Sequence, residues 1–261
     1  MSEVRLVSSL EGPDGAPVVV LANPIGTTRA IWDAQARVLT GKYRLLRFEL
    51  RGHGTPGARS DAPSGPYSIG ELGTDVLGLM REHGVSTAAY CGISIGGMTG
   101  LWLAANAPER ICSLVVCCAA ITPMPSRQSW LDRAALVRAD GMAAISDMVP
   151  PRWFTPDFIA RQPAAVAFVM DMLHGTDPVG YAGCAEAIAG MDLRPALGEI
   201  KAPTLVIAGA EDQAAPPWQG AMTAAGIADS RLRVIRGTSH LAPYQTPGPV
   251  TAAIQAHLAA S

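Results

Sequence analysis

Ser94, Asp212 and His240 have the types and the order along the chain that nucleophilic acyl transfer requires. A serine hydroxyl is a poor nucleophile at neutral pH. It needs a base that titrates near neutrality and a third group to orient that base. Ser94 is the centre of Gly92-Ile-Ser-Ile-Gly96, a G-x-S-x-G pattern. With 27 glycines in the chain the pattern alone says little. Its position says more, because it falls between an apolar strand-like run and a helical one. A tight turn there needs glycines so that backbone can pack closely around a strained serine. Gly209-Ala-Glu-Asp212 follows a later apolar run, and Gly237-Thr-Ser-His240 follows the next. Glu211 competes for the acid role; Asp212 is favoured as the second acid of its loop. His53, His83, His174 and His257 fall in a loop, at a helix end, in a helical insertion and in the last helix, and receive no catalytic role.

An oxyanion formed at Ser94 needs two N–H groups aimed at one point. Ile95 follows the nucleophile and opens a helix, whose free N–H groups and positive dipole end favour negative charge. The second donor is expected in the turn Asn23-Pro-Ile-Gly26. Pro24 has no N–H, so Ile25 is the first donor beyond Asn23.

These loops require strands to carry them. Pro17 to Ala22, Tyr43 to Leu50, Thr87 to Cys91, Ser113 to Ala119, Pro203 to Ala208 and Arg231 to Ile235 read as strands. Helical stretches alternate with them over Thr28 to Leu39, Ser68 to His83, Ile95 to Asn106, Pro217 to Ala225 and Pro247 to Ala259. Ser68 and Glu71 have capping-box spacing, and Arg51 to Pro66 is a Gly/Pro-rich loop. The alternation predicts an α/β fold with a mostly parallel sheet covered on both faces. From Pro123 to Pro195 the rhythm is helical only, over Trp130 to Ala139, Gly141 to Met148, Pro156 to Leu173 and Tyr181 to Gly190. The expected organisation is a core of residues 1–122 and 196–261 with a helical cap of residues 123–195.

Composition agrees. Apolar residues make up 49% and charged residues 16% of 261, which suits one globular unit with a large core. A net charge of −2 without a basic face argues against a nucleic-acid partner. The start lacks a signal-peptide pattern and no apolar run has membrane-spanning length, so a cytoplasmic protein is expected. The five cysteines are odd in number, lack paired metal-ligand spacing and read as buried reduced thiols.

With elbow, acid loop, terminal histidine and insertion in place, the chain resembles the α/β-hydrolase family over nearly its whole length. Within it the chain is similar to the bacterial 3-oxoadipate enol-lactonases of aromatic-compound degradation. The narrower likeness rests on Asn23-Pro-Ile-Gly-Thr27, Gly92-Ile-Ser-Ile-Gly-Gly-Met98, Pro108-Glu-Arg110, Ser129-Trp-Leu-Asp-Arg133 and Arg152-Trp-Phe-Thr155. Two positions depart from it. Glu49 stands where the wider family often has Asp, and Gln245 where relatives often have an acid before the proline.

The resemblance implies hydrolysis of a small carboxylate-bearing lactone or ester through an acyl-enzyme, with no metal or organic cofactor. Oligomeric state is not legible. Trp130 and Arg133 share a helix face and are expected to bind substrate, the guanidinium gripping a carboxylate and the indole shielding the ring. Arg152 and Trp153 are rivals, and Arg138 should point elsewhere. A carboxylesterase, thioesterase or C–C bond hydrolase of the same fold is the alternative reading, and a noncatalytic ligand-binding module a more distant one.

Overall fold

The computed structural model describes residue 4, residues 6–54 and residues 64–260. Residues 55–63 of the expected loop lie outside the described residues. The strands are β1 (Ser8–Glu11), β2 (Val18–Ala22), β3 (Arg44–Phe48), β4 (Ala88–Ile93), β5 (Ile111–Cys117), β6 (Thr204–Gly209) and β7 (Ser230–Ile235). They form one sheet in the order β1-β3-β2-β4-β5-β6-β7. β1 pairs antiparallel with β3, and every other pairing is parallel. β2, β4 and β6 are apolar and buried almost throughout, as strands covered on both faces must be.

Flanking helices are α1 (Asp33–Leu39), α2 (Ile69–Glu82) and α3 (Ile95–Asn106). Ser68 and Glu71 close the expected capping box on α2. Between β5 and β6 the described elements are all helical: α4 (Arg127–Asp140), α5 (Pro150–Trp153), α6 (Pro156–Arg161), α7 (Pro163–Gly175) and α8 (Pro178–Gly190), with short 3-10 turns. The chain ends with α9 (Pro217–Gly226), α10 (Ala242–Gln245) and α11 (Pro247–Leu258).

Four expectations need correction. The helix read over Pro156 to Leu173 is two helices, because Pro163 has no N–H to continue α6 and instead starts α7. The stretch Gly141 to Met148 contains only a 3-10 turn, Met142–Ile145. β1 is absent from the strands expected above because its four residues are all half-buried, leaving little alternation to detect. Cys112 is exposed near the start of β5, whereas the other four cysteines are buried; all five are free thiols. No helix among the described residues is long and apolar enough to cross a membrane.

Candidate active site

Ser94 stands between β4 and α3 with φ 53° and ψ −121°, one of two described non-glycine residues at positive φ. Such backbone stores on the order of 1–3 kcal/mol and persists only where its surroundings enforce it. The enforcement is steric. A Cβ on Gly92 would stand 2.3 Å from Gly96 backbone, and one on Gly96 would stand 2.5 Å from the Ala22 carbonyl oxygen. Both glycines are therefore needed for the turn to fold against β2. Ser94 N–H donates to the Cys117 carbonyl at 2.9 Å, fastening the elbow to the end of β5.

The loops after β6 and β7 meet beside it. Glu211 N–H donates to the Thr238 carbonyl at 3.0 Å, and Gly209 permits the approach, since a Cβ there would lie 2.2 Å from the Ser239 carbonyl oxygen. The carboxylate brought to His240 is that of Asp212, with Oδ2 at 2.9 Å from Nδ1. Its Oδ1 accepts from Ala214 and Ala215 N–H, each at 2.8 Å, so the side chain is held at both oxygens. Glu211 faces solvent instead. An ionised carboxylate only accepts, which assigns the proton to Nδ1 and leaves Nε2 as the free base. Ser94 and His240 line one narrow cavity, and no hydrogen bond joins them among the described residues. Contacts of this kind often tighten only around substrate.

Ile25 and Ser94 border the same cavity. The turn bearing Ile25 is gripped by residues at and just beyond the end of β3. Asn23 Nδ2 donates to the Phe48 carbonyl at 2.9 Å and to Glu49 Oε2 at 3.3 Å, and Gly26 N–H donates to His53 Nε2 at 2.8 Å. Since His53 Nε2 accepts, its Nδ1 donates to the Arg51 carbonyl, 2.9 Å away. Burial pushes the imidazole down to about 4, so it remains neutral in this role. Gly26 adopts φ 75°, and a Cβ there would meet Leu173 Cδ1 at 2.6 Å. Glu49, pushed up to about 7 by burial, also accepts from Arg29 N–H at 3.0 Å. His53, which the sequence places in Arg51-Gly-His-Gly54 as part of a loop shaping the site without a catalytic role, is thus a support for the Ile25 turn. What the sequence does not indicate is its partner, the Gly26 N–H.

Across the cavity stand Trp130, Arg133, Arg152 and Trp153. The Arg133 guanidinium carbon lies 4.6 Å from the centre of the Trp130 ring, as their shared helix face leads one to expect. Arg152 is depressed from its usual value, first by burial and then by Arg133. Two cations side by side in a partly dry pocket favour an anion between them. Arg138 turns away to pair with Glu186. A larger cleft of about 660 Å³ is lined by other residues, Arg37, Phe158, Arg161 and Tyr244 among them, and by neither Ser94 nor His240. No cluster of metal-ligating side chains occurs among the described residues.

A hydroxyl on a strained turn beside an oriented imidazole can perform acyl transfer. Known proteins bear on this geometry. Residues 17–247 match the family model described as alpha/beta hydrolase fold. The chain is 37% identical over 254 residues to 3-oxoadipate enol-lactonase 2 of Acinetobacter baylyi, covering 97% of this chain and 93% of that one. Among solved structures it resembles the enol-lactonase from Burkholderia xenovorans LB400, with TM-score 0.93, 39% identity and coverage of 98% and 97%. It also resembles a malate-bound thermophilic esterase from Thermogutta terrifontis, with TM-score 0.89, 26% identity and coverage of 98% and 93%. A match across nearly the whole chain, on a parallel sheet carrying this elbow, means that the chain belongs to the alpha/beta hydrolase fold family.

Proposed function

We propose that this protein is a serine hydrolase that opens a small carboxylate-bearing enol-lactone, converting 3-oxoadipate enol-lactone to 3-oxoadipate. The observation that carries the reading is one cavity lined by Ser94, by His240 paired to Asp212, and by the two arginines Arg133 and Arg152. The names of the relatives above, an enol-lactonase in two of the three cases, support the choice of substrate.

In this mechanism Ser94 Oγ attacks the lactone carbonyl while His240 Nε2 takes its proton, and Asp212 stabilises the imidazolium. The carbonyl oxygen becomes an oxyanion held by Ile25 and Ile95 N–H. Collapse breaks the ring C–O bond. The leaving enolate is protonated from the imidazolium and tautomerises to a ketone. His240 then removes a proton from water, which attacks the acyl-enzyme and frees a carboxylate and Ser94. Arg133, stacked on Trp130, holds the free carboxylate of the substrate, with Arg152 beside it. Residues 123–195 act as the cap that sets substrate choice, because the core loops supply only generic acyl-transfer chemistry.

The test combines turnover with labelling. The wild type should hydrolyse the enol-lactone and react with a fluorophosphonate, whereas Ser94→Ala should do neither. Equal labelling of both removes Ser94 from the mechanism. A general esterase is the second reading, favoured by the likeness to the thermophilic esterase. Faster hydrolysis of short aryl esters than of the enol-lactone would select it.

A further inference from the structure

We propose that Gln245 is a positioning residue that fastens the loop carrying His240 to the Arg152–Thr155 segment, and thereby sets the base against Ser94. This rests on the reading of His240 as the base. Gln245 is buried, and its carboxamide uses its full bonding capacity on two separate stretches of chain. Oε1 accepts from Ser239 N–H at 3.2 Å and from Thr155 N–H at 3.4 Å. Nε2 donates to Thr155 Oγ1 at 2.8 Å and to the Gly237 carbonyl at 3.1 Å. A backbone N–H only donates and a carbonyl only accepts, so Ser239 and Gly237 together specify which way the amide faces.

The same two stretches are joined on either side of His240. Leu241 N–H donates to the Trp153 carbonyl at 3.2 Å, and the single Ser239 Oγ proton is shared between the Glu211 carbonyl at 3.3 Å and the Arg152 carbonyl at 3.5 Å. The side chains of Arg152 and Trp153 meanwhile line the catalytic cavity. Asp212 sets the rotation of the imidazole, whereas the height of its loop above Ser94 depends on this bracket, which Gln245 ties at four points. A misplacement of about 1 Å at a reacting group can cost roughly a hundredfold in rate. Leucine would leave Ser239 N–H and the Gly237 carbonyl without their partner. Glutamate keeps both acceptor contacts and lets Thr155 Oγ1 turn to donate, but when ionised it sets a carboxylate oxygen against the Gly237 carbonyl in place of the donor. Protonation restores that donor.

The experiment compares wild type, Gln245→Leu and Gln245→Glu on a short aryl ester, with thermal melts and the rate of fluorophosphonate labelling measured on the same samples. In Gln245→Leu, kcat should fall tenfold to a hundredfold with KM within about twofold, and labelling should slow by the same factor at temperatures well below its melting point. Gln245→Glu should recover most of the loss, and its activity relative to wild type should rise as pH falls. Wild-type kcat and labelling in Gln245→Leu overturn the proposal, as does a loss confined to KM or a Glu-to-wild-type ratio that is flat with pH. If Gln245→Leu does not fold, that ratio still decides. Loss of labelling in Ser94→Ala checks the underlying nucleophile separately, so the two readings fail by different results.

Discussion

Ser94, the proposed nucleophile, stands in strained backbone. Its positive φ is a conformation that glycine adopts without penalty, so the serine side chain is retained there at a cost in stability. Ser94→Gly should therefore raise the melting temperature, by about 1 kcal/mol of stability, while abolishing turnover. Ser94→Ala should abolish turnover without that gain; equal melting temperatures for the two variants would show that the elbow is unstrained. Arg133 bears on recognition. If it holds the substrate carboxylate, Arg133→Leu should slow enol-lactone turnover about tenfold to a hundredfold, which matches a charged hydrogen bond of roughly 1.5–3 kcal/mol. A neutral aryl ester should be hydrolysed at nearly the wild-type rate. Equal losses on both substrates would assign Arg133 a packing role, and Arg152 then becomes the residue to test.

Among the elements, the β4–α3 junction is the one most legible in the sequence. Its glycines bracket the serine, and α3 spans Ile95–Asn106 as its apolar run and Pro108 suggest. The structure adds what each glycine faces. Gly96→Ala should be severe, because its Cβ would press on the Ala22 carbonyl and push α3 away from β2. We expect loss of both soluble protein and activity. By contrast Gly190→Ala, at the end of α8 with nothing within 4 Å of its Cβ, should be silent in expression and melting. Other elements are harder to read. The break between α6 and α7 is hidden although Pro163 marks it, because the apolar rhythm resumes on the other side. β1 depends on a partner distant in sequence, β3, for its existence as a strand.

Across the whole molecule, two buried ionisable groups under the Ile25 turn act on stability in opposite directions. Glu49 has a folded value near 7 against an ordinary 4.5, so from about pH 4.5 to 7 the folded protein holds a proton that the unfolded chain releases, and stability falls as pH rises. Its full penalty above pH 7 is on the order of 3 kcal/mol. His53 is depressed to about 4 from 6.5, so its neutral form contributes stability above pH 6.5 that is lost as pH falls toward 4. Glu49→Gln removes only the first effect. Its melting temperature should exceed that of the wild type at pH 8 and by much less at pH 5, as measured by parallel melts. A difference that shrinks as pH rises would contradict the burial of an ionisable Glu49.

What the sequence determined by itself was local or periodic: the alternation of strands and helices, the glycines around Ser94, the order of Ser94, Asp212 and His240, and the helical character of the stretch between β5 and β6. Short-range sterics and apolar spacing encode these, and they survive without knowledge of partners. Tertiary structure decided what depends on convergence. Asp212 and Glu211 are adjacent and chemically alike, and only the packing of two loops through Gly209 directs the first to His240 and the second to solvent. For His53 under Gly26 and Gln245 between Thr155 and Gly237, the sequence setting does not reveal the hydrogen-bond partners. Each acquires its role because the folded chain places backbone donors and acceptors, distant in sequence, around a buried polar group that must be satisfied.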